Sequence, residues 1–113
     1  MQLDKKNGVT IIATDERLDA LSAPQLKDTV KQLVADSEKR LVIDLAKTRF
    51  IDSSGCGALV ASLRVLVKNG GDMKVARPSP QAKSLFELTR LHRVFEIFDD
   101  LESALKSYQH AGR

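Results

Sequence analysis

Cysteine, tryptophan and long apolar runs are the gaps in this sequence, and each gap removes a class of protein. Cys56 is the one cysteine among 113 residues, which excludes an intrachain disulfide and any cysteine-only metal site. Tryptophan is absent and aromatic residues make up 4% of the chain, so the core has to be mostly aliphatic. No apolar run approaches the roughly 18 to 20 residues that span a bilayer, and the N-terminal MQLDKKNG lacks a signal peptide's apolar segment. The expectation is a cytoplasmic chain without membrane insertion. A dominant charge is missing too. Eighteen Lys and Arg against fifteen Asp and Glu leave +3, and the basic residues are scattered singly, which argues against direct nucleic-acid binding. His92, His110 and Cys56 show no ligand spacing, so neither a metal nor a cofactor is expected. Cys56 reads as small core filler.

What remains is an ordinary globular composition, 42% hydrophobic and 29% charged, at a length that suits one domain burying about two thirds of its unfolded surface. There is no linker, low-complexity segment or internal repeat, so residues 1–113 read as a single domain.

VTIIA (9–13) is a β-branched run after the turn-like KKNG, and Leu3 before that turn belongs to a short preceding strand, so the N-terminus reads as a hairpin. In LSAPQL, Ser22 is placed to cap a helix, Pro24 suits its first turn, Gln25 completes a capping box, and Leu21 with Leu26 matches a hydrophobic staple. Ala23, Leu26, Val30, Leu33 and Val34 then recur at helical spacing as far as Asp36. RLVIDLA (40–46) is nearly continuous in apolar residues, as a strand covered on both faces should be. A second helix over 54–68 carries Cys56, Leu59, Val60, Leu63, Leu66 and Val67 and stops at KNGG. MKVA (73–76) is a further strand. Ser79 and Pro80 open a third helix through Ala82, Leu85, Phe86 and Thr89. VFEIF (94–98) is a fourth strand of this set, and Asp99 with Glu102 reads as a capping box for a last helix ending before a frayed QHAGR. Strands alternating with single helices force parallel neighbours, so the fold class is α/β with a mixed four- to five-stranded sheet and about four helices.

The stretch RFIDSSGCGALVASL (49–63) is the chemically suggestive one. Acyl-transfer catalysis needs a base and a Gly-x-Ser-x-Gly elbow, and neither Ser53 nor Ser54 has them. A phosphate-binding P-loop needs Gly-x-x-x-x-Gly-Lys-Ser/Thr, which is absent as well. No catalytic residue is assigned. Asp52, Ser53 or Ser54 could each cap the following helix. Three candidate caps are more than a helix needs, and Gly55 and Gly57 weaken its first turn by roughly 1 kcal/mol each, so something besides stability is implied.

FIDSSGCGALVASL, with RLDALSAPQL about thirty residues earlier and GGDMKVARPSPQAKSLFELTRLHRVFEIFDDLESAL after it, resembles the STAS domain of bacterial anti-sigma factor antagonists along essentially the whole chain. The resemblance implies a non-enzymatic binding module in a partner-switching pathway. In that family the serine after the motif aspartate, here Ser53, is phosphorylated by an anti-sigma factor that is also a serine kinase. The unphosphorylated form binds that kinase and frees a sigma factor, phosphorylation abolishes binding, and a serine phosphatase restores it. Asp19, Ser22, Asp52, Ser53, Ser54 and Gly55 form the implied partner face, with Gly55 and Gly57 read as clearance for the kinase and Ser54 as a cap or first-turn residue. The alternative is a STAS subunit of a non-sigma assembly, such as a membrane lipid or anion transport complex or a sensory module. A weak homodimer is left open. One departure stands out: the family often has glycine two residues before the acid of RLDALS, and this chain has Arg17.

Overall fold

The structure, a computed structural model, describes residues 1–111. In chain order the elements are β1 (Gln2–Lys6), β2 (Val9–Ala13), β3 (Arg17–Leu18), α1 (Ala23–Ala35), β4 (Arg40–Asp44), β5 (Phe50–Ile51), α2 (Ser53–Lys68), β6 (Asp72–Ala76), α3 (Pro80–Leu88), a 3₁₀ turn (Leu91–Arg93), β7 (Ile97–Phe98) and α4 (Leu101–Ala111). Asn7 and Gly8 both take positive φ, 55° and 79°, as the primed two-residue hairpin turn requires. They set β1 antiparallel to β2, with Lys6 opposite Val9. β4, β6 and β7 add in parallel, giving a mixed five-stranded sheet in the order β1-β2-β4-β6-β7. The α/β class and the parallel core read from the sequence are what the structure shows.

Strand alternation sends side chains to two cores. Ile12, Leu41, Ile43 and Val75 pack with Leu26 and Val30 of α1, Leu59 and Leu66 of α2, and Phe86 of α3. Val9, Ile11, Val42 and Ala76 face Ala104, Leu105 and Tyr108 of α4 on the other side. A strand buried on both faces has no polar side to alternate with, hence the continuous run at 41–45. Two buried charges are partnered. Lys74, 4% exposed, meets Glu96 at 2.7 Å and lies 4.8 Å from the Tyr108 ring centre. Asp44 holds Arg77 through Nε at 3.0 Å and through Nη2. Tyr108 Oη donates to the Leu41 carbonyl at 2.7 Å, pinning α4 to the sheet.

Several local expectations are corrected. Ser22 does not cap α1: its backbone is helical (φ −96°, ψ −18°) and its hydroxyl makes no cap bond. Leu21 is 91% exposed, so no staple forms with the buried Leu26. The α4 cap is Asp100, which accepts from the Ser103 N–H at 2.7 Å, while Asp99 pairs with Lys83 instead. The strand read over 94–98 shrinks to Ile97–Phe98, because Leu91–Arg93 winds into a 3₁₀ turn that leaves Val94 exposed and tucks Phe95 into the core. α2 begins at Ser53, one residue earlier than read. α4 continues through Gln109, His110 and Ala111, part of the expected frayed tail; Gly112 and Arg113 lie outside the described residues.

Candidate functional site

Two loops that are thirty residues apart in sequence are zipped together at the start of α2. β3 and β5 form a separate two-stranded parallel sheet, Arg17 opposite Phe50 and Leu18 opposite Ile51. The Glu16 carbonyl accepts from Arg49 N (2.9 Å) and Phe50 N (3.1 Å), and Leu18 O accepts from Asp52 N at 3.3 Å. Beneath them the buried Thr48 hydroxyl donates to Asp15 O at 2.7 Å and shares a hydrogen bond with Thr14 Oγ1. A polar pair this deep is stable because each hydroxyl is satisfied. Asp19 and Asp52 are the residues that follow directly on the paired Leu18 and Ile51. They lead into α1 and α2 respectively.

Asp52 is the N-cap of α2. Its backbone is extended, and its Oδ1 accepts from Gly55 N at 2.9 Å while its carbonyl accepts from Cys56 N at 3.0 Å. That frees both serines from capping. Ser53 and Ser54 are the first two helical residues, both exposed. Among the described residues neither hydroxyl has a hydrogen-bond partner. Gly55 is buried, and a Cβ there would lie 2.1 Å from Leu18 O. Its clearance therefore serves the chain's own backbone, which corrects the reading of Gly55 as room for a kinase. A Cβ on Gly57 would meet nothing within 4 Å. Cys56 points inward, and burial, with the Asp52 charge behind it, pushes its thiol above the ordinary value, so it is a poor nucleophile.

The neighbouring loop is a compact hydrogen-bonded turn. Asp19 Oδ2 accepts from Arg17 Nε at 3.0 Å, and Oδ1 accepts from Leu21 N at 3.1 Å and Ser22 N at 3.4 Å. The Arg17 bond is the main reason its carboxyl sits below the usual 3.8, with desolvation opposing and the two backbone donors assisting. Ser22 Oγ accepts from Asp19 N at 2.9 Å and donates to Arg17 O at 3.0 Å, so this serine braces the loop. The Arg17 guanidinium also lies 4.2 Å from the centre of the Phe50 ring.

Three exposed apolar side chains lie around this assembly: Leu21 at 91%, Leu88 at 83% and Phe50 at 42%. Phe50 and Ile51 line one wall, and Ala82, Leu85 and Leu88 of α3 the other, of an open groove of about 480 Å³. Sequence reasoning missed this groove, because an exposed leucine on a helix is indistinguishable from a core one by spacing. It also read Arg17 only as a departure from a pattern, not as Asp19's partner. Of the sequence-derived set, Asp19, Ser22, Asp52, Ser53 and Ser54 lie on the two zipped loops and the helix start, with Gly55 packed below. Among the described residues no His, Cys, Asp and Glu group is arranged to hold a metal, and no helix is long and apolar enough to cross a membrane.

Fold and site together define a class: a mixed-sheet α/β module that displays, among the described residues, two unbonded serines at a capped helix start, between an acidic turn and an apolar groove. The chain belongs to the STAS domain family, whose model matches residues 1–104. It is 30% identical over 99 residues to the anti-sigma-F factor antagonist RsfB of Mycobacterium tuberculosis, covering 88% of this chain and 80% of that one. A crystal structure of an anti-sigma factor antagonist from Mycobacterium paratuberculosis superposes with a TM-score of 0.83 at 30% identity, over 94% of this chain and 90% of that one. The Bacillus cell-fate determinant SpoIIAA, solved in its phosphorylated form, has the same fold, with a TM-score of 0.75 at 20% identity and coverage of 95% and 97%.

Proposed function

We propose that this protein is an anti-sigma factor antagonist acting by partner switching, and that Ser53 is the residue on which the switch is thrown. The observation that carries the reading is the division of labour at the start of α2. Asp52 does the capping, so the Ser53 hydroxyl is exposed, unbonded and at a fixed helix position. In the unphosphorylated form the turn around Asp19, the start of α2 and the apolar residues Leu21, Phe50 and Leu88 bind an anti-sigma factor that is itself a serine kinase, releasing the sigma factor. Ser53 Oγ then attacks the γ-phosphorus of the kinase's ATP. The bond to the ADP oxygen breaks, and the hydroxyl proton passes to a base on the kinase. A phosphatase reverses the change by hydrolysis, water attacking phosphorus and the serine oxygen leaving with a proton.

The energetics favour a switch of binding over one of folding. The phosphate adds about −1.5 to −2 charges at a helix N-terminus, whose dipole tolerates them. The same charge beside Asp52 and Asp19 repels acidic partner groups and must be desolvated on contact. The names of the relatives and the phosphorylated state of SpoIIAA support this reading.

The test is phosphate-affinity electrophoresis of the chain with ATP and a purified anti-sigma factor kinase that binds it. The wild type and Ser54→Ala are expected to shift, Ser53→Ala to stay unshifted, and phosphorylation to weaken kinase binding at least about tenfold, or 1.4 kcal/mol. A full shift in Ser53→Ala refutes the site, and an equal affinity for both forms refutes the switch.

A further inference from the structure

We propose that Arg17 is the internal hydrogen-bond donor to the Ser53 phosphate, and that phosphorylation moves its guanidinium from Asp19 to the phosphoserine. The inference rests on the Ser53 reading above and extends it to what the chain does with the added charge. The start of α2 cannot by itself satisfy a phosphate. Of its first four N–H groups, Gly55 N is taken by the Asp52 side chain and Cys56 N by the Asp52 carbonyl, which leaves those of Ser53 and Ser54 for three phosphate oxygens. The cation nearest by strand register is Arg17. It pairs with Phe50, three residues before Ser53, and holds Asp19, which lies next to the strand residue bonded to Asp52.

Arg17 is also equipped to change partners. Its side chain is 59% exposed and rests on the Phe50 ring, which limits its rotamers without consuming donors. Only Nε is engaged, with Asp19; among the described residues both terminal nitrogens lack acceptors. A guanidinium fork binds phosphate through two parallel bonds, and a phosphate near −2 outcompetes a carboxylate at −1. The exchange has a second effect. Asp19 loses its cation, so part of the added negative charge appears on the partner face as an unmasked carboxylate while Arg17 offsets part of the phosphate.

Charged residues on the paired segments leading to Ser53 are Glu16, Arg17, Asp19, Arg49 and Asp52, and the Met1 ammonium and Asp15 pair with each other beside Arg17. The first turn of α1 (23–26) carries none, and Lys83 of α3 is held by Asp99. Arg49 lines the groove beyond Phe50 and serves as the control cation. The experiment uses the full chain with phosphoserine placed at position 53 during translation, so that no kinase is needed. Phosphorus NMR follows its second ionisation, and nitrogen–proton NMR follows the Arg17 Nε–H. We expect the phosphoserine pKa to lie about half a unit to one unit lower in the wild type than in Arg17→Gln. Arg17→Lys should fall between them, Arg49→Gln should match the wild type, and the Arg17 Nε–H resonance should shift on phosphorylation. An unchanged pKa in Arg17→Gln, or an unmoved Arg17 resonance, overturns the proposal. Because the phosphate is installed directly, a kinase that ignores Ser53 would refute the function proposed above without touching this result.

Discussion

Gly55 shows how one hydrogen atom sets the geometry of the candidate site. With Leu18 O 2.1 Å from where a Cβ would be, Gly55→Ala must push α2 away from the β3–β5 pair. The expected loss is roughly 3 kcal/mol, read as a fall in urea midpoint. Gly57→Ala, facing open space on the same helix, is expected to stabilise by up to about 1 kcal/mol through helix propensity alone. Both glycines look identical in sequence, two small residues in a first turn, and only the carbonyl arriving from thirty-seven positions earlier separates them. Ser53, the proposed phosphoacceptor, was singled out by contrast through the family resemblance, which rests on a contiguous motif directly after Asp52. Arg17 and Leu21 were not, since what each does depends on a partner or a solvent boundary that spacing does not encode.

Helices were legible as elements because their apolar periodicity runs over several turns, whereas their ends were decided by competition among neighbours. Asp99 and Asp100 are both acceptable caps; the phase of Leu101, Ala104, Leu105 and Tyr108 against the sheet selects Asp100. Ser22 lost its capping role to a turn organised by Asp19. β3 and β5 escaped detection altogether, since two residues have no period. The caps and turns carry a pH signature. Asp19 is held below its usual 3.8 chiefly by the Arg17 bond, Asp100 below 3.8 chiefly by the Ser103 N–H, and Glu38 below 4.5 chiefly by the Lys5 ammonium. Groups with lowered folded-state values stabilise above their unfolded values, and that contribution fades as pH falls through the folded ones. The melting temperature should therefore drop between about pH 5 and about pH 3, and Asp100→Ala should both lower it at neutral pH and flatten the slope. A melting temperature insensitive to acid would contradict this assignment.

At the scale of the molecule, the sheet separates stability from recognition. α1, α2 and α3 share the face that leads to the serines, and α4 alone closes the other. Tyr108→Ala removes a buried ring, its bond to Leu41 O and the aromatic neighbour of Lys74, and should cost about 3 to 5 kcal/mol in urea unfolding. The folded fraction should still be phosphorylated on Ser53 at the wild-type rate; a slower rate would show that the two faces are coupled. At the sheet's edge, Asp4 accepts the N–H of Lys5 with its own side chain at 2.8 Å, removing a donor that an incoming strand would need. The β3–β5 pair has a consequence for descent as well. Loops on either side of it are free to lengthen or shorten over generations, but Arg17–Asp19 and Phe50–Ser53 are bound by one register. A single-residue insertion in either segment would swap inward for outward side chains in half of the site, so the two are expected to be inherited, duplicated or transplanted only together.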